Sequence, residues 1–509
     1  MAEAQLKLAT IPSELSTLRM ALEGAGATAD PEPSFLTSTY YDSPDLQLRR
    51  QRLTFCVEEQ DQRRVQSLRG DGEWRDPIDG DAPDPAAPET GPRLRAAVDA
   101  ELRPLFKTEV RRTVFTVAAD PAVEIAAALD EGEIHAAESG AAERLCEVEL
   151  ELRRGEPAAL YDMALRLLDA APVRIEPRSK SDRGYRLTGA ERDAVTAKPV
   201  ALEPTMTVEA VLQSAGRECL AHFLRNEPAA LAGEAEALHQ MRIALRRLRS
   251  ILAAVRSMLP AEQYRWLRDE LTWLAASLGP ARDWDVFASD LIAPVKAALP
   301  EDAALQPLAA MAEARRQAAY RGAQAAIASR RYAESVLKIA RWVEARGWRD
   351  QPASEHSAPL FAPIADVAPR LLERRWRQAR KRSRHFAALS QDDRHRLRIA
   401  LKKLRYMTEI LGGLYDAGAV KAVTKRLKPL QRDLGHLNDV RTAERLMRET
   451  ADGASGVGRD AGLVLGWHVR GLADREAKLR RDVRRLRKAK PFWRGAQQPA
   501  AAEDGAAPA

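Results

Sequence analysis

The feature that most constrains this chain is that part of it repeats. His239-Gln-Met-Arg242-Ile-Ala-Leu-Arg246-Arg247-Leu-Arg249 returns as His395-Arg-Leu-Arg398-Ile-Ala-Leu-Lys402-Lys403-Leu-Arg405, at an offset of 156 residues. Leu278-Gly279-Pro-Ala-Arg282-Asp283 returns as Leu434-Gly435-His-Leu-Asn438-Asp439 at the same offset. Two separate motifs with one offset indicate a duplicated unit. Apolar residues recur at helical spacing from about 205 to 490, so the unit is helical, with breaks expected at Pro260, Pro280, Pro294, Pro300, the 350–363 stretch and Pro429. The repeats are expected at about 205–350 and 364–490.

The first 190 residues follow another rule. Alternating runs over 1–60, and again at 63–69, 107–117, 124–130 and 146–152, are separated by Pro, Gly and Asp clusters, which predicts antiparallel strands. Short helices are expected at about 12–23, 92–102 and 157–170, with a polar loop over 76–92. A change of composition over 191–204 marks a linker, and the low-complexity segment 494–509 is expected to be disordered. With 509 residues the chain exceeds what one core of about 250–300 residues supports, so several domains are required.

Charge divides at the same place. Residues 1–200 carry 26 Lys plus Arg against 37 Asp plus Glu, and residues 201–509 carry 54 against 36. A net of −11 is thus followed by one of +18, and the second half should attract polyanions. Nucleic acid is the weaker partner class, because Trp266, Trp273 and Trp284 fall at apolar helical positions rather than among the cations. Three scattered cysteines, Cys56, Cys146 and Cys219, favour neither disulfides nor a zinc site. No secretory pattern or apolar span is seen, and a cytoplasmic location is expected.

At 100° per residue His395, Arg398, Lys402 and Arg405 occupy an arc of roughly 80°, as do His239, Arg242, Arg246 and Arg249, while Met241, Leu245, Leu248 and Leu252 lie opposite. A single such stripe would be read as a solvated face. Its recurrence, histidine included, favours two ridges lining one groove that fits a linear polyanion, with Lys421, Lys425, Lys428 and Arg432 adding a second basic line. A metal role for the histidines is disfavoured by their cationic neighbours.

The segments HQMRIALRRLRS, LGPARDWDV, HRLRIALKKLRY and LQRDLGHLNDV resemble the signatures of the CHAD domain, the conserved histidine α-helical domain, over about 205–490. The resemblance implies two four-helix repeats holding inorganic polyphosphate in a basic cleft, with His239, Arg242, Arg246, Arg249, Arg282, His395, Arg398, Lys402 and Arg405 as ligands. It also admits association with polyphosphate granules.

In the first half, strand alternation puts Glu3, Gln5 and Lys7 on one face, likewise Glu147, Glu149 and Glu151, and likewise Arg178 and Lys180. Periodicity leaves two readings open, an ordinary polar sheet face or metal-assisted phosphate chemistry. EAQLKL, YYDSPDLQL, LDEGEI, LCEVELEL and RSKSDRGYRL resemble the CYTH, or triphosphate tunnel, fold over about 1–190. That resemblance implies an eight-stranded antiparallel barrel hydrolysing triphosphate with Mg²⁺ or Mn²⁺. The metal would be held by Glu3, Glu147, Glu149 and Glu151, and phosphate by Lys7, Arg69, Arg112, Arg178, Lys180 and Arg183. The expected class is therefore α+β multidomain, a β-barrel followed by an all-α bundle. Departures from the pattern stand at Gln5, where a carboxylate is usual, and at Cys56 and Glu58, where two arginines are usual. The expectation is a polyphosphate-binding protein with a degenerate, weak or inactive tunnel; the alternative is a metal-dependent inorganic triphosphatase whose helical domain recruits substrate.

Overall fold

The computed structural model describes residues 4–29, 32–61, 63–189, 194–300, 305–450 and 457–494. They form two compact units, Met1–Val195 with Ala328–Ala345, and Thr196–Ile327 with Arg346–Ala509.

The first unit is built on one antiparallel sheet. Its strands are β1 (Gln5–Ala9), β2 (Ala27–Ala29), β3 (Ser34–Asp42), β4 (Thr54–Gln60), β5 (Arg63–Arg69), β6 (Glu73–Pro77), β7 (Arg103–Asp120), β8 (Val123–Ala136), β9 (Ala142–Arg154) and β10 (Arg174–Ile175). Their order is β10-β1-β9-β8-β7-β3-β4-β5-β6, with β2 paired to β7. Eight strands have five or more residues, and the two additions, β2 and β10, have three and two. Alternation decides the faces: Leu6 and Leu8 of β1 and Val148 and Leu150 of β9 point into an apolar core with the helices Leu15–Gly24 and Ala158–Ala170. The intervening residues face the other way, with Lys7 opposite Glu149 and Gln5 opposite Glu151.

Two expectations are corrected here. Arg178 and Lys180 do not share a strand face. Ser179 accepts from the backbone N–H of Asp182, whose carboxylate accepts from that of Ser179, and this capping box starts a helix at Lys180–Leu187. Gly184 of that helix lies so close to Phe106 that a Cβ would stand 2.1 Å from its ring. The helix Arg330–Glu344, expected within the first helical repeat, belongs to the sheet unit, because Ala333 and Leu337 complete its core.

The second unit shows the duplication as geometry. Helices begin at Val208 and Ile364, at Ala235 and Gln391, and at Ala261 and Ala417, each pair 156 apart. The halves differ at the second motif. Helix Ala261–Ser277 stops before Gly279–Val286, where Pro280 lacks the N–H the ladder needs, whereas Ala417–Thr450 runs unbroken through Gly435 and His436. Pro429, expected as a break, lies inside that helix. The carbonyl it leaves unbonded belongs to exposed Lys425, where water can satisfy it.

Candidate functional site

The motif helices Ala235–Val255 and Gln391–Leu411 bury Leu238, Met241, Leu245 and Leu248, and Leu397, Leu401 and Leu404, which fixes their rotation and turns the basic stripes away from the core. Both stripes line one cavity of about 1230 Å³. Of the thirteen residues singled out in this half, His239, Arg242, Arg246, Arg249, Arg282, His395, Arg398, Lys402, Arg405, Lys428 and Arg432 line it. Lys421 and Lys425 do not; both are exposed near the start of helix Ala417–Thr450. Arg268, Lys403, Tyr264, Tyr406 and the pair Asp283 and Asp439 also line it. Tyr264 and Arg268 could not be found from the repeat, since they lie outside the repeated motifs. Asp283 and Asp439 could have been, being motif residues 156 apart.

The electrostatics are unbalanced. Eleven Lys and Arg line the cavity against three Asp. At the rim Arg268 pairs with Asp269 at 2.8 Å, Arg405 with Glu409 at 3.1 Å and Arg432 with Asp433 at 3.2 Å. Among the described residues Arg242, Arg246, Arg249, Arg282, Arg398, Lys402, Lys403 and Lys428 form no salt bridge. Arg242 Nη1 donates only to the carbonyl of Ala275 at 2.8 Å, and Nε of Arg398 is buried with no hydrogen-bond partner. Like charges held close in a low dielectric lose protons. Burial, then Arg398 and Arg246, push the Lys402 ammonium down to about 6. Burial, then Arg246 and Arg282, push Arg242 to about 10. Burial also raises Asp283 and Asp439 against the pull of their arginine neighbours.

The two histidines differ because of one motif position. Asn438 Oδ1 lies 2.7 Å from His395 Nδ1 and accepts its proton, which leaves Nε2 free to act on a ligand. Arg282 occupies the equivalent place in the first repeat. After burial it is the largest influence pushing His239 down to about 3, and His239 Nδ1 has no partner.

The sheet unit presents the opposite balance. Arg112 is held by Asp130 at 2.7 Å and Glu149 at 2.6 Å; Lys180 by Asp130 at 2.8 Å and by Glu147; Arg183 by Glu143 at 2.9 Å and Glu147 at 3.4 Å. Arg178 pairs with Glu176 at 2.7 Å, and Lys7 Nζ donates to the carbonyl of Arg178. Glu58 takes Arg69 at 2.6 Å and Arg75 at 2.8 Å. Asp130 was not singled out from the sequence; its side chain is fully buried between Arg112 and Lys180, whose bonds hold the carboxyl below its ordinary range despite that burial. Of the carboxylates assigned to metal, Glu147 and Glu149 serve these cations, Glu151 pairs with Arg153 at 2.8 Å, and Glu3 lies outside the described residues. Among the described residues no three carboxylate, imidazole or thiol side chains converge as a metal ion would require.

Comparison with known proteins fits this division. The CYTH domain family matches residues 1–185 and the CHAD domain family residues 214–448. The chain therefore carries a CYTH domain followed by a CHAD domain. An inorganic triphosphatase of Haemophilus influenzae is 29% identical over 170 residues, 30% of this chain; the match spans about half of that relative's length, 46%. The crystal structure of the CHAD domain from the plant Ricinus communis aligns with a TM-score of 0.51 and 28% identity, over 58% of this chain and 97% of that one. A Hippeastrum protein described with a dominant triphosphatase activity aligns over 36% of this chain and 95% of its own at 16% identity and a TM-score of 0.27. Among the described residues no helix is long and apolar enough to cross a membrane.

Proposed function

We propose that this chain binds inorganic polyphosphate in the cationic cavity of its CHAD domain, and that its CYTH domain is a degenerate triphosphatase of weak or absent turnover. The excess of eleven cations over three carboxylates, eight of the cations without a salt bridge, carries the first part. Each motif helix offers arginine forks and a histidine about one turn apart, a spacing that a linear polyanion can satisfy without sequence or shape of its own. The second part is supported by Glu58, which takes Arg69, one of the cations expected to hold phosphate, together with its neighbour Arg75. Removing a charge-assisted contact to a transferring phosphoryl group costs roughly 10²–10³ in rate.

Two assays on the full chain test this. Retention of long-chain polyphosphate without metal should be tight and fall by several orders of magnitude between about 50 and 200 mM salt, as expected when six or more phosphates are contacted. Phosphate release from tripolyphosphate with Mg²⁺ or Mn²⁺ should be slow. The relative named an inorganic triphosphatase favours the alternative, a metal-dependent triphosphatase served by the CHAD domain. Rapid turnover that is abolished by Glu149→Ala would establish it instead.

A further inference from the structure

Arg247 of the first motif helix and Lys403 of the second are repeat partners. Arg247 is 5% exposed and lies close enough to Cys219, on helix Val208–Arg225, to act on its thiol. The position 156 residues after Cys219 holds Arg375, on helix Ile364–Arg382. The second repeat therefore sets a guanidinium beside a lysine where the first has a neutral thiol. Arg375 is 6% exposed, its Nη2 is buried without a hydrogen-bond partner, and among the described residues it forms no salt bridge. An uncompensated buried cation is costly, and an anion bound beside it would offset that cost. Tyr264, which acts on Arg375, and Lys403, on which Arg375 and Arg249 both act, line the cavity with Arg249, whereas Arg375 stands behind that lining on the adjoining helix. Burial, then Arg375, Arg249 and Arg382, hold the Lys403 ammonium below its ordinary range.

We propose that Arg375 and Lys403, with Arg249 beside them, form a closed subsite off the cavity that takes the terminal phosphate of a polyphosphate chain. This rests on reading the cavity as a polyphosphate site. A mid-chain phosphate continues on both sides, whereas a guanidinium this buried is reached by a chain end. The end group also suits two cations better. Its second ionisation lies near pH 6 by analogy with phosphomonoesters, giving it close to two charges where an internal phosphate has about one.

The test is calorimetric titration of the full chain with linear tripolyphosphate and with cyclic trimetaphosphate, which has no end. Arg375→Met should weaken the linear ligand about tenfold or more, the scale of one lost charge-assisted contact, and shift the cyclic one by less than about twofold. Should Arg375→Met fail to fold by circular dichroism, Lys403→Met carries the same comparison and should weaken the linear ligand more than the cyclic one. Equal loss for both ligands, or loss for neither, would overturn the subsite and leave the cavity reading intact. An unaltered chain that binds neither ligand overturns both.

Discussion

Lys402 couples the cavity to pH. Its folded-state pKa, about 6, lies below that of an unfolded lysine, so between those values the unfolded chain binds more protons. Stability of the ligand-free protein accordingly rises with pH through that window and is lost as pH falls toward 6. A bound phosphate lifts the ammonium back up, so binding takes up a proton and affinity should weaken as pH rises from about 6 to 9. Titrations in two buffers of different ionisation enthalpy should reveal the uptake at pH 7.5, and Lys402→Arg should remove most of it. Charge reversal is the complementary measurement. Arg242→Glu or Arg398→Glu should cost about 10² or more in affinity, against less than about threefold for Lys296→Glu or Lys338→Glu, which lie outside the cavity. Equal losses would indicate diffuse attraction alone. The motif cations were legible because period and repetition put them on one face. Arg375 and Asp130 were not, since their importance comes from partners far away in sequence: Asp130 faces Arg112 across a strand ladder, and Arg375 stands beside Lys403 on another helix.

Elements were legible to different degrees, for identifiable reasons. The three helix starts shared by the repeats follow from one offset and one period. The helix Lys180–Leu187 is hidden from alternation, which over three residues carries less information than Ser179 and Asp182 at the spacing of a capping box. Pro429 does not break its helix because proline's penalty depends on whether the stranded carbonyl meets water, which sequence does not state. In the sheet, β4 brings Glu58 alongside β5 and β6, where it neutralises Arg69 and Arg75 at once. Glu58→Gln should loosen both guanidiniums, which Glu73 still holds at 2.9 Å and 3.9 Å, and so raise tripolyphosphate hydrolysis by only about tenfold, less than the roughly 10²–10³ of a full charge-assisted contact, as measured by phosphate release with Mn²⁺. Unchanged release would mean that the lost arginines, rather than the added acid, limit this domain.

At the scale of the whole chain the partition does not follow the sequence. The helix Arg330–Glu344 lies between segments of the helical unit, yet it packs on Ala158–Ala170 of the sheet unit, with Leu337 fully buried among Leu160, Met163 and Leu167. Arg341 Nη2 donates to Asp162 at 3.0 Å, and Arg330 pairs with Asp169. Its apolar stripe looked like any other helix of the repeat, because periodicity says that a face is buried and not against what. The chain therefore leaves the helical unit after Ile327 and returns at Arg346, so neither unit can be excised as one segment. Leu337→Ala should destabilise the sheet unit by about 2–5 kcal/mol, the usual cost of such a cavity, read by chemical denaturation of the full chain. Residues 1–195 expressed alone should leave the apolar face of Ala158–Ala170 uncovered and aggregate, while the same fragment with 328–345 attached through a flexible linker should remain monomeric. If 1–195 is monomeric and equally stable without that helix, the core it completes is dispensable and the division of the chain into these two units has no energetic meaning.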